Sequence, residues 1–287
     1  IMPNIIQLSF VQLEMHTLRT LFATCVVMLC ALFALPQRAQ AQEAYVQLSA
    51  DKTTLTFFYD TKRTSREGTT WGIEEKRTDN SNFPAWAGTE ENPNTTTTKA
   101  VFDASFQNFK PTSTAYWFIF YKVLNTIEEF QHLSTAQVTD MEEMFYGCSG
   151  LTSLELSNFN TAQVTNMIYM FFGCSGLTSL NVSNFNTSKV TSMWNMFSGC
   201  SGLKELNVSS FNTSAVTDMS EMFVGCSKLI SLNLSNFNTS EVTDMSVMFK
   251  DCYGFKELNV SNFNTSAVTN MSWMFKNCSG LKELNVS

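Results

Sequence analysis

Six cysteines that recur at one fixed interval are the first residues in the sequence whose chemistry needs an explanation. Successive members lie 26 residues apart, and they are Cys148, Cys174, Cys200, Cys226, Cys252 and Cys278. Disulfide frameworks and CxxC metal sites do not show such equal, wide spacing. The spacing therefore indicates one cysteine per structural repeat. We favour a column of buried free thiols, with disulfides between adjacent repeats and metal binding as the alternatives.

The other polar residues do not form an evident catalytic or metal-binding set. His132 is the one histidine after the first forty residues, and a lone histidine supplies neither a Ser/His/Asp set nor a metal cluster. Asp140, Asp218 and Asp244 occupy one repeat position, where a carboxylate suits the start of a helix. We therefore predict no enzyme activity, no cofactor and no bound metal.

The cysteine spacing belongs to a 26-residue repeat in the second half of the chain. One copy begins at Phe211 and reads FNTSAVTDMSEMFVGCSKLISLNLSN. The register holds without insertion over 133–287, which gives six repeats with the last one truncated. Repeats one to six begin at positions 133, 159, 185, 211, 237 and 263. Internal repeats of this length are typical of stacked architectures.

Each repeat contains two kinds of apolar spacing. Val216, Met219 and Met222 are three residues apart, as on one face of a short helix. Leu232 and Leu234 are two residues apart, as in a strand. A single repeat buries too little apolar surface to offset its conformational entropy, so the copies must stack. We predict an α/β solenoid: a stack of short parallel strands and short helices, with a small β-containing N-terminal cap.

The repeat motif also resembles that of a known family. FNTSxVTxMSxMFxxCSGLxxLNVS, with the frame LxxLxLxxF, is similar to the 26-residue repeat of BspA-like leucine-rich-repeat bacterial surface proteins. That repeat also occurs in Listeria and Mycoplasma surface lipoproteins. The resemblance covers 133–287, and it implies a leucine-rich-repeat-like, right-handed solenoid, exposure at the cell surface and adhesion to host proteins or to other cells.

The segment over 43–132 lacks the full repeat and is predicted to cap the stack. Alternating residues over 44–60, on both sides of Asp51 and Lys52, predict a β-hairpin. The stretch 62–99 is rich in Thr, Asn, Gly and charged residues, which favours irregular loops. Residues 101–132 keep part of the apolar spacing and are interpreted as a degenerate first repeat.

The first 41 residues have the layout of a secretory signal peptide. Arg19 precedes an apolar run over 21–35, and Pro36 is followed by the small-residue site at Ala39 and Ala41. We predict cleavage near Ala41, a secreted or cell-surface location, and no transmembrane span in the mature chain. Because the sequence starts at Ile1 and stops within a repeat, we expect it to be a fragment at both ends.

Net charge narrows the classes of partner. The formal net charge is -7 at pH 7, without a cluster of Lys and Arg. An acidic chain of this kind is a poor candidate for binding nucleic acid or anionic membranes. The family resemblance then favours protein partners, with host extracellular matrix and other cell surfaces among the candidates.

An uneven set of apolar residues marks a candidate partner site. Repeats one to three carry these residues beside the two methionines, whereas repeats four to six have mostly Ser, Glu and Lys there. The set is Tyr146, Ile168, Tyr169, Phe172 and Trp194. Adjacent repeats would gather the set into one convex patch, and such patches often mark interfaces. We expect this patch to contact a partner or the cap, and the alternative is local packing without a ligand.

These observations lead to two hypotheses about function. The first is a secreted or cell-surface, adhesin-like binding protein that recognises host or other cell-surface proteins through the repeats. The second is a structural spacer array that presents another domain absent from this sequence.

Overall fold

The computed structural model describes residues 41–79 and 81–286. The signal peptide expected over 1–41 thus falls almost entirely outside the described residues. Within them are nine strands, three short 3₁₀ helices and no α-helix. The 3₁₀ helices are Arg63–Ser65, Ala104–Asn108 and Phe130–His132. The strands are β1 (Glu43–Leu48), β2 (Thr54–Asp60), β3 (Thr69–Gly72), β4 (Lys99–Phe102), β5 (Thr126–Glu128), β6 (Ser179–Leu180), β7 (Glu205–Leu206), β8 (Glu257–Asn259) and β9 (Glu283–Asn285).

A five-stranded mixed sheet forms the cap, in the order β3-β1-β2-β4-β5. β1 and β2 pair antiparallel on both sides of Asp51 and Lys52, as expected for the hairpin. β4 pairs in parallel with β2, and β5 pairs in parallel with β4. Because side chains alternate along a strand, Leu55 and Phe57 of β2 face the core and are fully buried. Phe57 stacks on Phe102 of β4 with ring centroids 4.4 Å apart.

The predicted α/β leucine-rich-repeat solenoid is wrong. The described parts of the repeats contain turns where the short helices were expected, and no α-helix forms. The strands of the repeats do not join into a continuous sheet: β6 pairs only with β7, and β8 only with β9. Repeats one and four have no strand, although Leu232 and Leu234 alternate as a strand would. The repeats are mostly turns and loops that stack on one another.

Backbone hydrogen bonding explains why the expected helix is absent. In repeat four, the N–H groups of Met219, Glu221 and Phe223 donate to carbonyls of repeat five, at 2.9 to 3.0 Å. The N–H of Met222, between them, donates to the Met219 carbonyl three residues earlier. An α-helix needs each N–H for the carbonyl four residues earlier. A four-residue turn also brings its first and last residues, which are three apart in sequence, close together. The apolar spacing of such turns therefore imitates that of a helix.

Positive φ angles complete these turns. Glu221 has φ 58°, and Gly225 has φ 67°. Each residue occupies the third position of its four-residue turn, where a type II turn requires positive φ. The two positions recur in every repeat, and Asp251 and Asn277 replace the glycine in repeats five and six. Aspartate and asparagine are the non-glycine residues that adopt this left-handed conformation most readily.

Identical side chains form ladders along the stack. Seven phenylalanine rings stack with centroids 5.6 to 5.7 Å apart and planes within 7°, and they are Phe118, Phe145, Phe171, Phe197, Phe223, Phe249 and Phe275. A buried threonine ladder runs beside them: the Thr187 hydroxyl donates to the Asn212 carbonyl and accepts from the Asn212 N–H. The cap joins the phenylalanine ladder through Phe118, whose N–H also donates to the Met144 carbonyl of repeat one.

A substitution within the phenylalanine ladder tests this account. Phe197→Ala should lower the free energy of unfolding by about 3–5 kcal/mol, since it leaves a cavity between two stacked rings. Phe275→Ala is the matched control, because Phe275 is half-buried at the end of the ladder and stacks on one ring. Its effect on the free energy of unfolding, measured by urea denaturation, should be smaller. Equal losses would contradict the ladder as the source of stability.

Candidate functional site

The structure brings the aromatic members of the candidate patch together. Tyr146 and Phe172 stack with ring centroids 4.5 Å apart and planes inclined by 15°. Tyr169 lies 5.3 Å from Phe172 and 4.7 Å from Trp194, again between centroids. All four rings are half-buried. We call Tyr146, Tyr169, Phe172 and Trp194 the aromatic surface.

Ile168 occupies a neighbouring position of the same turn. Its side chain is half-buried, and its carbonyl accepts the N–H of Glu143 from repeat one. On the cap side, Phe120 extends the aromatic surface, with its ring centroid 5.0 Å from that of Tyr146. The surface therefore runs from the cap to repeat three.

The aromatic surface is confined to one end of the stack. Tyr146 and Phe172 are replaced by Ser198, Val224, Lys250 and Lys276 at the same position of later repeats. Trp273, the repeat-six counterpart of Tyr169, is 63% exposed and contacts the Lys276 ammonium, 4.5 Å from its ring centroid. The cluster is thus a local feature and does not follow from the repeat itself.

A cleft of about 540 Å³ opens beside the aromatic surface. One wall comes from repeats one and two and from Phe120, and the other comes from a cap loop. The lining residues are Asp79, Ser81, Phe83, Thr89, Glu90, Glu91, Phe120, Glu143, Tyr146 and Tyr169. Sequence reasoning missed Asp79, Glu90 and Glu91, because the cap loop that carries them lies more than fifty residues before the repeat residues that it faces.

Glu143 is the carboxylate with the most unusual setting in this cleft. Burial and the neighbouring Glu142 carboxylate raise the pKa of Glu143 to about 7. No described residue forms an ion pair or a hydrogen bond with its side chain. Its backbone has φ 52°, in the left-handed region, and its N–H donates to repeat two. The repeat turn therefore holds this carboxylate at the wall of the cleft.

The other ionisable groups of the cleft differ from Glu143. Hydrogen bonds from Ser81 and Arg77 lower the pKa of Asp79 to about 2, so this carboxylate is ionised at neutral pH. Burial is the main cause that raises the pKa of Tyr146, and the Glu143 and Glu90 carboxylates add to it. Burial raises the pKa of Tyr169 to about 12. Both tyrosines are therefore neutral hydrogen-bond donors at neutral pH.

The six cysteines of the repeats are free thiols in one column. Five are buried and Cys278 is half-buried. Each Sγ donates to a phenylalanine carbonyl of the preceding repeat, or of the cap for Cys148, at 3.0 to 3.2 Å, as Cys200 does to Phe171. Burial raises the pKa of all six thiols, which disfavours the reactive thiolate.

The remaining polar candidates have structural contacts. His132 lies with Nδ1 2.9 Å from the Phe102 carbonyl of the cap. The carboxylates of Asp140, Asp218 and Asp244 each accept the backbone N–H two residues later, at 2.7 to 3.0 Å. These aspartates therefore begin turns, and the helix starts expected from the sequence are wrong.

Two negative findings apply to the described residues. Among 41–79 and 81–286, no three His, Cys, Asp or Glu side chains are placed to hold a metal ion together. The same residues include no helix long and apolar enough to cross a membrane.

The repeated turn defines a class of stacked repeat proteins, and comparison with known proteins identifies the family. A family model described as Mycoplasma protein of unknown function, DUF285, matches residues 114–207 and 195–286. Because these matches span more than half of the chain, the chain belongs to this family. The match begins at Thr114, where the cap adopts the turn of the repeats. No curated protein and no solved structure gives a significant match.

Thiol labelling tests the cysteine column. In a background with Cys25 and Cys30 replaced by serine, N-ethylmaleimide should label Cys278 first in the native protein, because it is the only half-buried thiol of the column. All six thiols should be labelled after unfolding without a reductant, as counted by mass spectrometry. Missing labels after unfolding would reveal disulfides, and rapid native labelling of Cys200 would contradict its burial.

The setting of Glu143 predicts a pH-dependent stability. Since the folded-state pKa is above the ordinary value of 4.5, the folded state binds more protons between these values, and stability falls as pH rises through this window. Relative to Glu143→Gln, the protein should lose about 1–2 kcal/mol between pH 5 and pH 8, with solvent screening taken into account. Urea denaturation at both pH values measures this difference. A difference that does not change with pH would show that Glu143 is well solvated.

Proposed function

We propose that this protein is an exported, surface-located binding protein that recognises a protein partner through its aromatic surface. The observation that carries the proposal is the gathering of Tyr146, Tyr169, Phe172 and Trp194 into one half-buried cluster. Tyrosine and tryptophan are enriched among residues that dominate the energy of protein interfaces.

The placement of the aromatic surface supports contact with a partner. A cluster that served only internal packing would be expected to be closed over by the cap loop. Instead, the cluster borders an open cleft, and Tyr146 and Tyr169 contribute to its wall. Half-buried aromatic rings of this kind offer a partner apolar area together with hydroxyl and indole donors.

Location outside the cell is supported by the sequence. Residues 1–41 have the layout of a signal peptide. The repeat motif resembles that of BspA-like surface proteins, and the chain belongs to a family described from Mycoplasma. Adhesion to host proteins or to other cells is the form of binding that this resemblance favours.

A spacer array is the second candidate function. The observation that favours it is the regular ladder of stacked rings, which would form a stiff support for another domain. A spacer needs no partner at the aromatic surface, so the two candidates differ in the effect of substitutions there.

Paired substitutions separate these candidates. The double variant Tyr169→Ser, Trp194→Ser should weaken binding to a captured partner by at least about tenfold, because it removes two interface rings. The control is Trp273→Ser, which removes an exposed ring at the same repeat position as Tyr169. Binding to a panel of matrix proteins and host cells is measured by surface plasmon resonance and cell adhesion. Partners bound equally by all variants, or no binding across the panel, would favour the spacer.

A further inference from the structure

The cleft beside the aromatic surface combines ring faces with carboxylates. Phe120, Tyr146 and Tyr169 supply rings on the repeat side, and Phe83 supplies one from the cap loop. Phe83 is half-buried and packs on Tyr116, with ring centroids 5.1 Å apart. Aromatic faces carry partial negative charge and attract cations.

Four carboxylates surround these rings, namely Asp79, Glu90, Glu91 and Glu143, and no basic residue lines the cleft. Asp79 is neutralised by Arg77, at 2.7 Å. The described residues provide no ion pair to the other three. The cleft therefore keeps a negative potential that its own walls do not balance.

The uncompensated negative charge is most costly at Glu143. Its half-buried carboxylate has no described partner, and burying an uncompensated charge is costly. Its left-handed backbone conformation is also unfavourable for a non-glycine residue. A cation that entered the cleft would replace the solvent that this carboxylate has lost.

We propose that the cleft receives a lysine or arginine side chain from the protein partner. This inference rests on the proposed function, since it names the chemistry of the partner at the same surface. The cation would lie against the Tyr146 and Tyr169 rings and pair with the Glu143 carboxylate, while Glu90 and Glu91 attract it from the rim.

The chain itself contains the same combination of groups. The Arg66 guanidinium lies 3.4 Å from the ring centroid of Phe58 and pairs with Asp60 at 2.7 Å. An aromatic face and a carboxylate thus hold an arginine within the cap. The cleft presents both components without the cation.

An organic cation fits the cleft better than a metal ion does. The carboxylates are spread along its walls, and no three of the described acidic, cysteine or histidine side chains are placed to hold one metal ion. Aromatic rings offer no ligand for hard metal ions, whereas they attract guanidinium and ammonium groups.

The proposal predicts tighter binding as pH rises through about 7, where Glu143 ionises. The ionisable groups that face Glu143 are Glu142 and Asp140 on its own turn, Tyr116 from the cap, Tyr146 and Tyr169 beside it, and Glu90, Glu91 and Asp79 across the cleft. Burial raises the pKa of both Tyr146 and Tyr169 above the ordinary tyrosine value, so both side chains stay neutral over this range. The Asp79 carboxylate is already ionised.

Short peptides test the proposal with the full chain. Acetylated Gly-Ser-Arg-Ser-Gly amide and its lysine analogue are titrated while the ring resonances of labelled tyrosines are followed by NMR. The citrulline analogue keeps the shape of arginine without its charge. The arginine peptide should bind at least about tenfold more tightly than the citrulline peptide, because its charge meets an unpaired carboxylate.

Variants locate the binding in the cleft. Glu143→Gln should weaken binding of the arginine peptide by about fivefold or more and remove its pH dependence, which corresponds to the loss of one charged contact. Tyr169→Ser should weaken binding, and Tyr169→Phe should retain most of it. Glu241→Gln, an exposed carboxylate of repeat five, and Trp273→Ser should bind as the unaltered protein does.

Two results would overturn the inference. One is equal binding of the arginine and citrulline peptides, and the other is equal weakening by Glu143→Gln and Glu241→Gln. If either result occurs while the double variant Tyr169→Ser, Trp194→Ser still weakens partner binding, the proposal of a cationic side chain in the cleft is wrong. The proposed function then stands. If peptide binding follows the prediction while partner binding ignores the aromatic surface, the proposed function is the part that fails.

Discussion

The structure depends on how each repeat uses its backbone N–H groups. Along the methionine-rich segment, alternate N–H groups donate to the next repeat. Of the groups between them, that of Met222 closes a four-residue turn within its own repeat, and that of Ser220 donates to the Asp218 carboxylate. This division leaves no donors for an α-helix, although the apolar spacing imitates one. It also fixes the register between repeats, because a shift by one residue would exchange the two sets of donors.

In this arrangement some positions of the repeat must keep the same type of residue, whereas other positions can differ from one repeat to the next. The phenylalanine, methionine and cysteine positions point into the ladders, where a change of volume disturbs two neighbours. The first left-handed position of each repeat lies outside the ladders, and from the cap to repeat six it holds Tyr116, Glu143, Tyr169, Asn195, Glu221, Val247 and Trp273. All of these residues are at least partly exposed except Asn195, which is buried. Side chains at this position can change without breaking the ladder, so the candidate site is built largely from positions that the stack leaves free.

The sequence predicted the repeat register, the hairpin and the residues that cluster in the aromatic surface. These features depend on periodicity and on identical neighbours, which one sequence displays. The helix prediction failed because residues three apart, such as Met219 and Met222, lie on the same side of a four-residue turn as well as on the same face of a helix. The cleft could not be predicted, since the placement of Glu90 and Glu143 around one cleft depends on a cap loop whose path no local pattern encodes.

The outward positions change in character from one end of the stack to the other. At the position of Tyr146, the later repeats carry Phe172, Ser198, Val224, Lys250 and Lys276, so aromatic residues near the cap give way to lysines. A uniform spacer has no physical need for this gradient, because the ladders alone maintain the stack. If the cleft receives a cationic partner, as we propose, the aromatic and acidic end beside the cap would attract it, whereas the lysines at the same position of repeats five and six would not. Specificity of this kind comes as much from the repelling surface as from the attracting one.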